Sequence, residues 1–119
     1  RYSPSTTTEE IRNSVENILD KHDLSYEIKW DQGGSPFLNT KTVLLDSVRT
    51  SIKSVTGISP EQTTDGGTSD GRFIAPTGAE VVELGPVNES IHKIDERIKA
   101  EDLSLLSKIY KAILKRLLT

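Results

Sequence analysis

Residues 26–36 read YEIKWDQGGSP, and this stretch decides how the chain is divided. Its first half alternates aromatic or aliphatic residues with charged ones, which predicts a half-buried β-strand. The strand runs directly into a cluster of turn-forming residues centred on Gly33 and Gly34. The sequence therefore predicts a hinge at these two glycines, with a small piece before it and a larger piece after it.

Three amphipathic segments elsewhere in the chain predict helices. A Thr-x-x-Glu capping box precedes the first, which we expect from about residue 8 to residue 21. The second carries its apolar residues between 43 and 55 and meets a well-placed terminating glycine at Gly57. The last helix is predicted over residues 100–118, with basic residues near its C-terminal end.

A second short strand is predicted at residues 80–84, where Val81 and Val82 lie between polar residues and a Gly-Pro break. Strands that alternate with helices are typical of α/β proteins. The predicted fold class is therefore α/β, as a small βαβ piece before the hinge and a larger α/β piece after it.

Composition excludes several classes of function. The net charge is −3, from 15 basic and 18 acidic residues without a basic stripe, so nucleic acid is not an expected partner. No apolar run approaches the roughly 18 residues of a membrane span, and no secretory signal pattern is present. Cysteine is absent, so a metal site would have to use histidine and carboxylates. The apolar content of 34% suits a subdomain that packs against something else, and equally a small domain of modest stability.

Residues 66–73 read GGTSDGRF and have two interpretations. Glycines let a backbone approach a ligand and direct N–H groups at an anion. The hydroxyls of Thr68 and Ser69 and the planar fork of Arg72 would add donors to such a cradle. The alternative is a tight turn in which Ser69 or Asp70 caps a short helix. Spacing alone leaves both interpretations open, because a lone glycine-rich loop is weak evidence.

The loop at residues 85–96 contains His92, which lies after a predicted strand and near several carboxylates. A neutral imidazole is a good zinc ligand, and Asp95 or Glu96 could orient it. The alternative is an ordinary polar histidine, since three further ligands would still have to be found. A serine hydrolase built from Ser69, Asp70 and His92 is disfavoured because the chain has no Gly-x-Ser-x-Gly elbow.

These segments together resemble the succinyl-diaminopimelate desuccinylases, of the co-catalytic zinc aminoacylase and carboxypeptidase group. The resemblance is carried by the GGTSDGRF string, by ELGP at residues 83–86, and by Ile91-His92 with Glu96 four residues after the histidine. It extends over the whole chain. It implies that residues 1–34 are the second half of a lid and dimerisation domain, and that residues 35–119 are the C-terminal part of the catalytic domain.

The resemblance also implies roles for individual residues. His92 would bind one of two zinc ions, with cobalt or manganese as substitutes, and Glu96 and Asp70 would have supporting or structural roles. The residues implied to bind substrate are Arg1, Gly67, Thr68, Arg72 and Asn88. No catalytic base is carried over, because the remaining metal ligands and the glutamate base of the family would lie upstream of Arg1. The 119 residues alone are therefore expected not to catalyse.

The function implied by the resemblance is zinc-dependent hydrolysis of N-succinyl-LL-2,6-diaminopimelate to succinate and LL-2,6-diaminopimelate. It implies a cytoplasmic homodimer of lysine and diaminopimelate biosynthesis, assembled through the lid domain. Two alternatives remain. One is a related N-acyl amino-acid deacylase, for example one acting on acetylornithine. The other is a non-catalytic α/β module that binds a small carboxylate.

Overall fold

The structure, a computed structural model, describes residues 2–64, 67, 69–87 and 89–119. Its helices are α1 (Thr8–Lys21), α2 (Val43–Thr56), α3 (Gly71–Ile74) and α4 (Ala100–Leu118), and a 3₁₀ turn, Ala75–Thr77, directly follows α3. The three long helices confirm the prediction from apolar periodicity. None of the described helices is long and apolar enough to cross a membrane.

Helix α1 begins at a complete capping box. The backbone N–H of Glu10 donates to Thr7 Oγ1 at 3.1 Å, and the backbone N–H of Thr7 donates to Glu10 Oε2 at 2.7 Å. Two backbone donors that the helix cannot satisfy internally are thus paired. The predicted box is confirmed, and it fixes the start of the helix.

The segment after α1 folds back along that helix. Tyr26 donates its hydroxyl proton to Asp20 at 2.9 Å, a hydrogen bond that raises the pKa of the tyrosine. The indole N–H of Trp30 donates to Glu16 at 3.3 Å, and the guanidinium of Arg12 lies 5.6 Å from the centre of the indole ring. No residue of α1 is fully buried, and within the described residues α1 contacts no other helix.

The hydrophobic core lies between α2 and α4. Three side chains, Val48, Ile109 and Ile113, are buried there. The half-buried residues packed against them are Leu44, Ile52, Val55, Val82 and Leu84. The core therefore belongs to the larger piece of the chain, after the glycine break.

Helix α2 has a tertiary cap at one end and a local one at the other. The carboxylate of Glu80 accepts a hydrogen bond from the backbone N–H of Leu44 at 3.2 Å, whereas the side chain of Thr42 makes no capping bond. At the other end Gly57 adopts the left-handed conformation, with φ of 76°. This terminating glycine confirms the sequence prediction.

No β-strand is present in the part of the chain that the structure describes, so the predicted α/β class is not confirmed. A strand requires a neighbour whose backbone pairs with its own. Residues 26–30 and 80–84, the two predicted strands, are non-helical segments without such a neighbour. The second nevertheless keeps alternating faces, because Val82 and Leu84 pack on the core while Val81 points toward Gly71.

The molecule is elongated. Its radius of gyration is 19.4 Å and its extents are 59, 37 and 22 Å. A compact domain of this length would have a radius of gyration of about 13.5 Å. The difference follows from the separation of α1 and its returning segment from the packed pair α2 and α4.

Candidate active site

The glycine-rich loop ends in a turn closed by Ser69. The hydroxyl of Ser69 accepts a hydrogen bond from the backbone N–H of Gly71 at 3.1 Å, and the N–H of Phe73 donates to the carbonyl of Asp70 at 2.9 Å. The Asp70 side chain makes no capping bond and is exposed. Of the two capping residues suggested by the sequence, the structure uses the serine.

Gly71, the first residue of α3, is buried at a point of close packing. A methyl group on Gly71 would lie 2.8 Å from Val81 Cγ1 and 3.2 Å from Phe37 Cζ. Real Cβ atoms almost never approach another atom within 3.0 Å. The glycine therefore lets the loop rest directly on the extended segment and on the residues that follow the hinge.

The next residue, Arg72, turns its side chain toward the glycine hinge. A methyl group on Gly34 would lie 2.8 Å from Arg72 Cδ and 3.4 Å from Nε, and one on Gly33 would lie 4.0 Å from Nη1. The guanidinium carbon lies 4.7 Å from the centre of the Phe73 ring, which is within cation–π range. The structure thus brings together the predicted hinge and one predicted carboxylate-binding residue, which are 38 positions apart in the sequence.

The guanidinium of Arg72 has no polar partner within the described ranges. Its Nε atom is buried without a hydrogen-bond acceptor, and no ion pair to this residue is present among those residues. A buried donor left unpaired costs about 1–3 kcal/mol, and more when the group is charged. An anion supplied from outside the described residues would remove this cost, and a carboxylate matches the guanidinium fork best.

His92 lies in an exposed loop whose ends are tied together. The hydroxyl of Ser90 donates to the carbonyl of Arg97 and accepts from its backbone N–H, both at 2.8 Å. Inside the loop His92 has φ of 60°, a left-handed conformation that is uncommon for residues other than glycine. The imidazole is exposed on the loop surface. Glu96, the predicted supporting residue, lies in the same loop and is also exposed.

A metal site needs more ligands than this loop contributes. Zinc in proteins takes about four ligands, of which at least three come from side chains. Among the described residues, no group of three histidine, cysteine, aspartate or glutamate side chains is placed to hold an ion. The imidazole of His92 suits zinc chemically, but among the described residues it belongs to no such group.

For several predicted site residues the structure shows no contact with Arg72 or with the glycine hinge among the described residues. Arg1, Thr68 and Asn88 lie outside the described residues. Gly67 is exposed, and no atom of the described residues lies within 4 Å of a methyl group placed on it. The geometry of the anion cradle predicted for residues 66–73 is therefore described only in its second half, at Ser69 and beyond.

Two side chains that position the site were not identified from the sequence. The amide of Asn39 holds the extended segment at Val81, and the Tyr110 hydroxyl donates to the carbonyl of Leu84 at 2.7 Å. Both contacts link residues more than 25 positions apart, so no local sequence signal marks them. They fix the segment that leads into the histidine loop.

Comparison with known proteins places this arrangement in a family. The model of peptidase family M20/M25/M40 matches residues 3–116. The chain belongs to this family. Relatives named succinyl-diaminopimelate desuccinylase include one from Methylococcus capsulatus, 57% identical over 118 residues, and one from Thioalkalivibrio sulfidiphilus, 55% identical over 118 residues. A third, from Marinobacter nauticus, is 53% identical over the same length.

The match covers almost all of this M20/M25/M40 chain but only part of each relative. It takes in 99% of the chain and 31% of the relative in all three cases. The chain thus spans about a third of the length of the curated relatives it matches.

Proposed function

We propose that this chain is part of a zinc-dependent amidohydrolase that cleaves N-succinyl-LL-2,6-diaminopimelate into succinate and LL-2,6-diaminopimelate. The observation that carries the proposal is the similarity of 53–57% over 99% of the chain to relatives named as that desuccinylase. The matched 118 residues span the GGTSDGRF string and the histidine loop, the two segments with candidate binding residues.

In the proposed enzyme Arg72 binds and orients a substrate carboxylate. Its guanidinium has no acceptor among the described residues. Gly67 and Thr68 would bind the same carboxylate, Arg1 would reach another, and Asn88 would lie near the reacting amide. These four assignments follow from the resemblance alone.

His92 is proposed as a metal ligand, supported by its exposed position in a loop whose ends are fixed by hydrogen bonds. When bound, two zinc ions would supply an activated water and polarise the amide carbonyl. Cobalt or manganese could substitute for zinc. Glu96 and Asp70 are proposed as supporting residues, and the glutamate base is expected from elsewhere in the protein.

The α/β fold and the two-domain division belong to the same proposal. Residues 26–30 and 80–84 would be strands in the whole protein, paired with segments outside this chain. The division into 1–34 and 35–119 is supported by the lack of contact between α1 and the other helices. The small core and the many exposed apolar side chains, for example Ile94 at 93% and Leu118 at 78%, also favour packing against further protein.

The proposal extends to a cytoplasmic homodimer of lysine and diaminopimelate biosynthesis, joined through the lid domain. The 119 residues alone are proposed to be inactive, since one imidazole cannot hold two metal ions. Succinate release by the purified 119-residue chain, at a rate that a His92→Gly variant does not show, would contradict this part.

A substrate panel tests the proposed reaction in the intact protein. N-succinyl-LL-2,6-diaminopimelate, N-acetylornithine and other N-acyl amino acids would be compared, each with zinc and with a chelator. Chelator-sensitive turnover with preference for the succinylated substrate supports the proposal. Preference for another acyl amino acid would indicate a sibling deacylase. Binding of a small carboxylate with no turnover of any member would indicate the non-catalytic module.

A further inference from the structure

The side chain of Arg72 lies along the backbone of Gly34. Three consecutive atoms of the arginine, Cγ, Cδ and Nε, would be 3.5, 2.8 and 3.4 Å from a methyl group on that glycine. The contact therefore involves the middle of the side chain, whose displacement would move the whole guanidinium. The arginine can take this path because Gly34 has no side chain, so the arginine packs directly on its α-carbon.

Gly34 and Gly33 differ in this respect. Gly34 has φ of 150° and the close contact with Arg72, so a side chain there would meet both backbone strain and a steric clash. Gly33 has ordinary φ, and its nearest neighbour would be Arg72 Nη1 at 4.0 Å, an ordinary contact. The observed position of the arginine side chain therefore requires a glycine at residue 34 but not at residue 33.

The ring of Phe73 supports the guanidinium at its other end. The distance of 4.7 Å from Cζ to the ring centre is within the range where the negative face of an aromatic ring attracts a cation. The middle of the Arg72 side chain therefore contacts Gly34, and its guanidinium contacts Phe73. Neither contact occupies a hydrogen-bond donor of the guanidinium, whose Nε is buried and whose two terminal nitrogens have no acceptor among the described residues.

We propose that Gly34 and Phe73 are positioning residues that set where the guanidinium of Arg72 meets a substrate carboxylate. The inference rests on the carboxylate-binding role of Arg72 in the proposed function. It makes the glycine pair more than a flexible hinge. The backbone at Gly34 is a surface against which the arginine is placed, so the anion-binding group moves with the hinge backbone.

A double-mutant cycle on the intact, zinc-loaded protein tests the inference, with N-succinyl-LL-2,6-diaminopimelate as the substrate. Arg72→Ala is expected to raise KM by roughly 10- to 100-fold, because a charge-assisted bond is lost. Gly34→Ala is expected to raise KM by roughly 5- to 10-fold with little change in kcat, because the guanidinium is displaced. In the Arg72→Ala background the Gly34→Ala effect should disappear.

Gly57→Ala is the matched control for backbone strain. Gly57 has φ of 76° but nothing within 4 Å of a methyl group placed on it. This variant should lower the stability of the fold and leave KM unchanged. A rise in KM in Gly34→Ala alone would then come from the lost contact with Arg72 and not from backbone strain.

Phe73→Leu provides a second cycle that does not depend on Gly34→Ala folding correctly. Loss of the aromatic face should raise KM by roughly two- to fivefold, and this effect should also vanish when Arg72 is alanine. If either effect persists unchanged in the Arg72→Ala background, the positioning role is overturned while the role of Arg72 stands. If Arg72→Ala itself leaves KM unchanged, it is the carboxylate-binding role in the proposed function that fails.

Discussion

The side-chain amide of Asn39 forms two hydrogen bonds with the backbone of Val81. Its Nδ2 donates to the Val81 carbonyl at 2.7 Å, and its Oδ1 accepts from the Val81 N–H at 3.0 Å. This is the pair of bonds that a residue of a neighbouring antiparallel strand would make. One side chain thus holds the extended segment in place where the described residues offer no strand to pair with it.

Gly71→Ala should destabilise the chain by about 1–3 kcal/mol, because the new methyl group would overlap Val81 and crowd Phe37. Urea unfolding followed by circular dichroism measures the change. Gly85→Ala is the matched control, since no atom of the described residues lies within 4 Å of a methyl group at that position. It should be neutral or stabilising by up to about 1 kcal/mol. Equal destabilisation by both variants would contradict the packing described for Gly71.

Ser51→Ala should stabilise the packing of α2 against α4. Ser51 is 0% exposed, and its hydroxyl has no hydrogen-bond partner among the described residues. Removing an unpaired buried hydroxyl should raise the free energy of unfolding by about 1 kcal/mol.

The control for Ser51 is Ser54→Ala, one turn further along α2 and exposed. It carries the same gain in helix propensity, roughly half a kcal/mol, without relief of a buried polar group. The two variants should therefore differ in urea unfolding, with Ser51→Ala the more stable. A Ser51→Ala variant less stable than wild type would show that the hydroxyl is paired.

The start of α1 should be sensitive to acid. The backbone N–H of Thr7, and then its hydroxyl, hold the pKa of Glu10 below its ordinary value of 4.5. A lowered folded-state pKa contributes stability that is complete above the unfolded pKa and is lost as pH falls through the folded pKa. Helix α1 should therefore fray from its N-terminal end as pH drops below 4.5.

Amide hydrogen exchange of residues 8–12, followed by NMR between neutral and acidic pH, measures this fraying. Glu10→Gln keeps a carbonyl acceptor but cannot titrate, so its exchange should lose most of the pH dependence. Glu9→Gln removes a charge one residue away without touching the capping box, and should keep the wild-type pH dependence. If amide exchange in Glu10→Gln depends on pH as it does in wild type, the capping carboxylate is not the cause of the fraying.

The helices could be predicted from the sequence because their signals are local. The capping box at Thr7 and Glu10, the apolar periodicity and the left-handed Gly57 all lie within a few residues of the elements they define. The strands could not be established in this way, because a strand depends on a partner strand that is often distant in sequence. The alternating faces of Val81 and Val82 are present, but within the described residues no strand pairs with this segment.

The sequence suggests candidate site residues, which stay predictions, but it does not indicate the geometry that the structure gives them. The resemblance selects Arg72 and His92 from their motifs, and nothing local indicates that Arg72 packs on Gly34. The same holds for the capping of Leu44 by Glu80, which joins positions 36 apart. Contacts of this kind depend on tertiary structure, and no periodicity or spacing encodes them.

The central proposal is that this chain supplies a metal ligand, His92, to a desuccinylase. It is tested most directly by succinate release from N-succinyl-LL-2,6-diaminopimelate by the intact protein, with zinc and with a chelator. The variant is His92→Gly, because glycine accepts φ of 60° and removes only the imidazole. Asp23→Gly is the control, since Asp23 has φ of 51° at the end of α1. We expect zinc-dependent activity in wild type and Asp23→Gly, and a loss of at least about 100-fold in His92→Gly. Full activity in His92→Gly, or equal activity with chelator, would contradict the account.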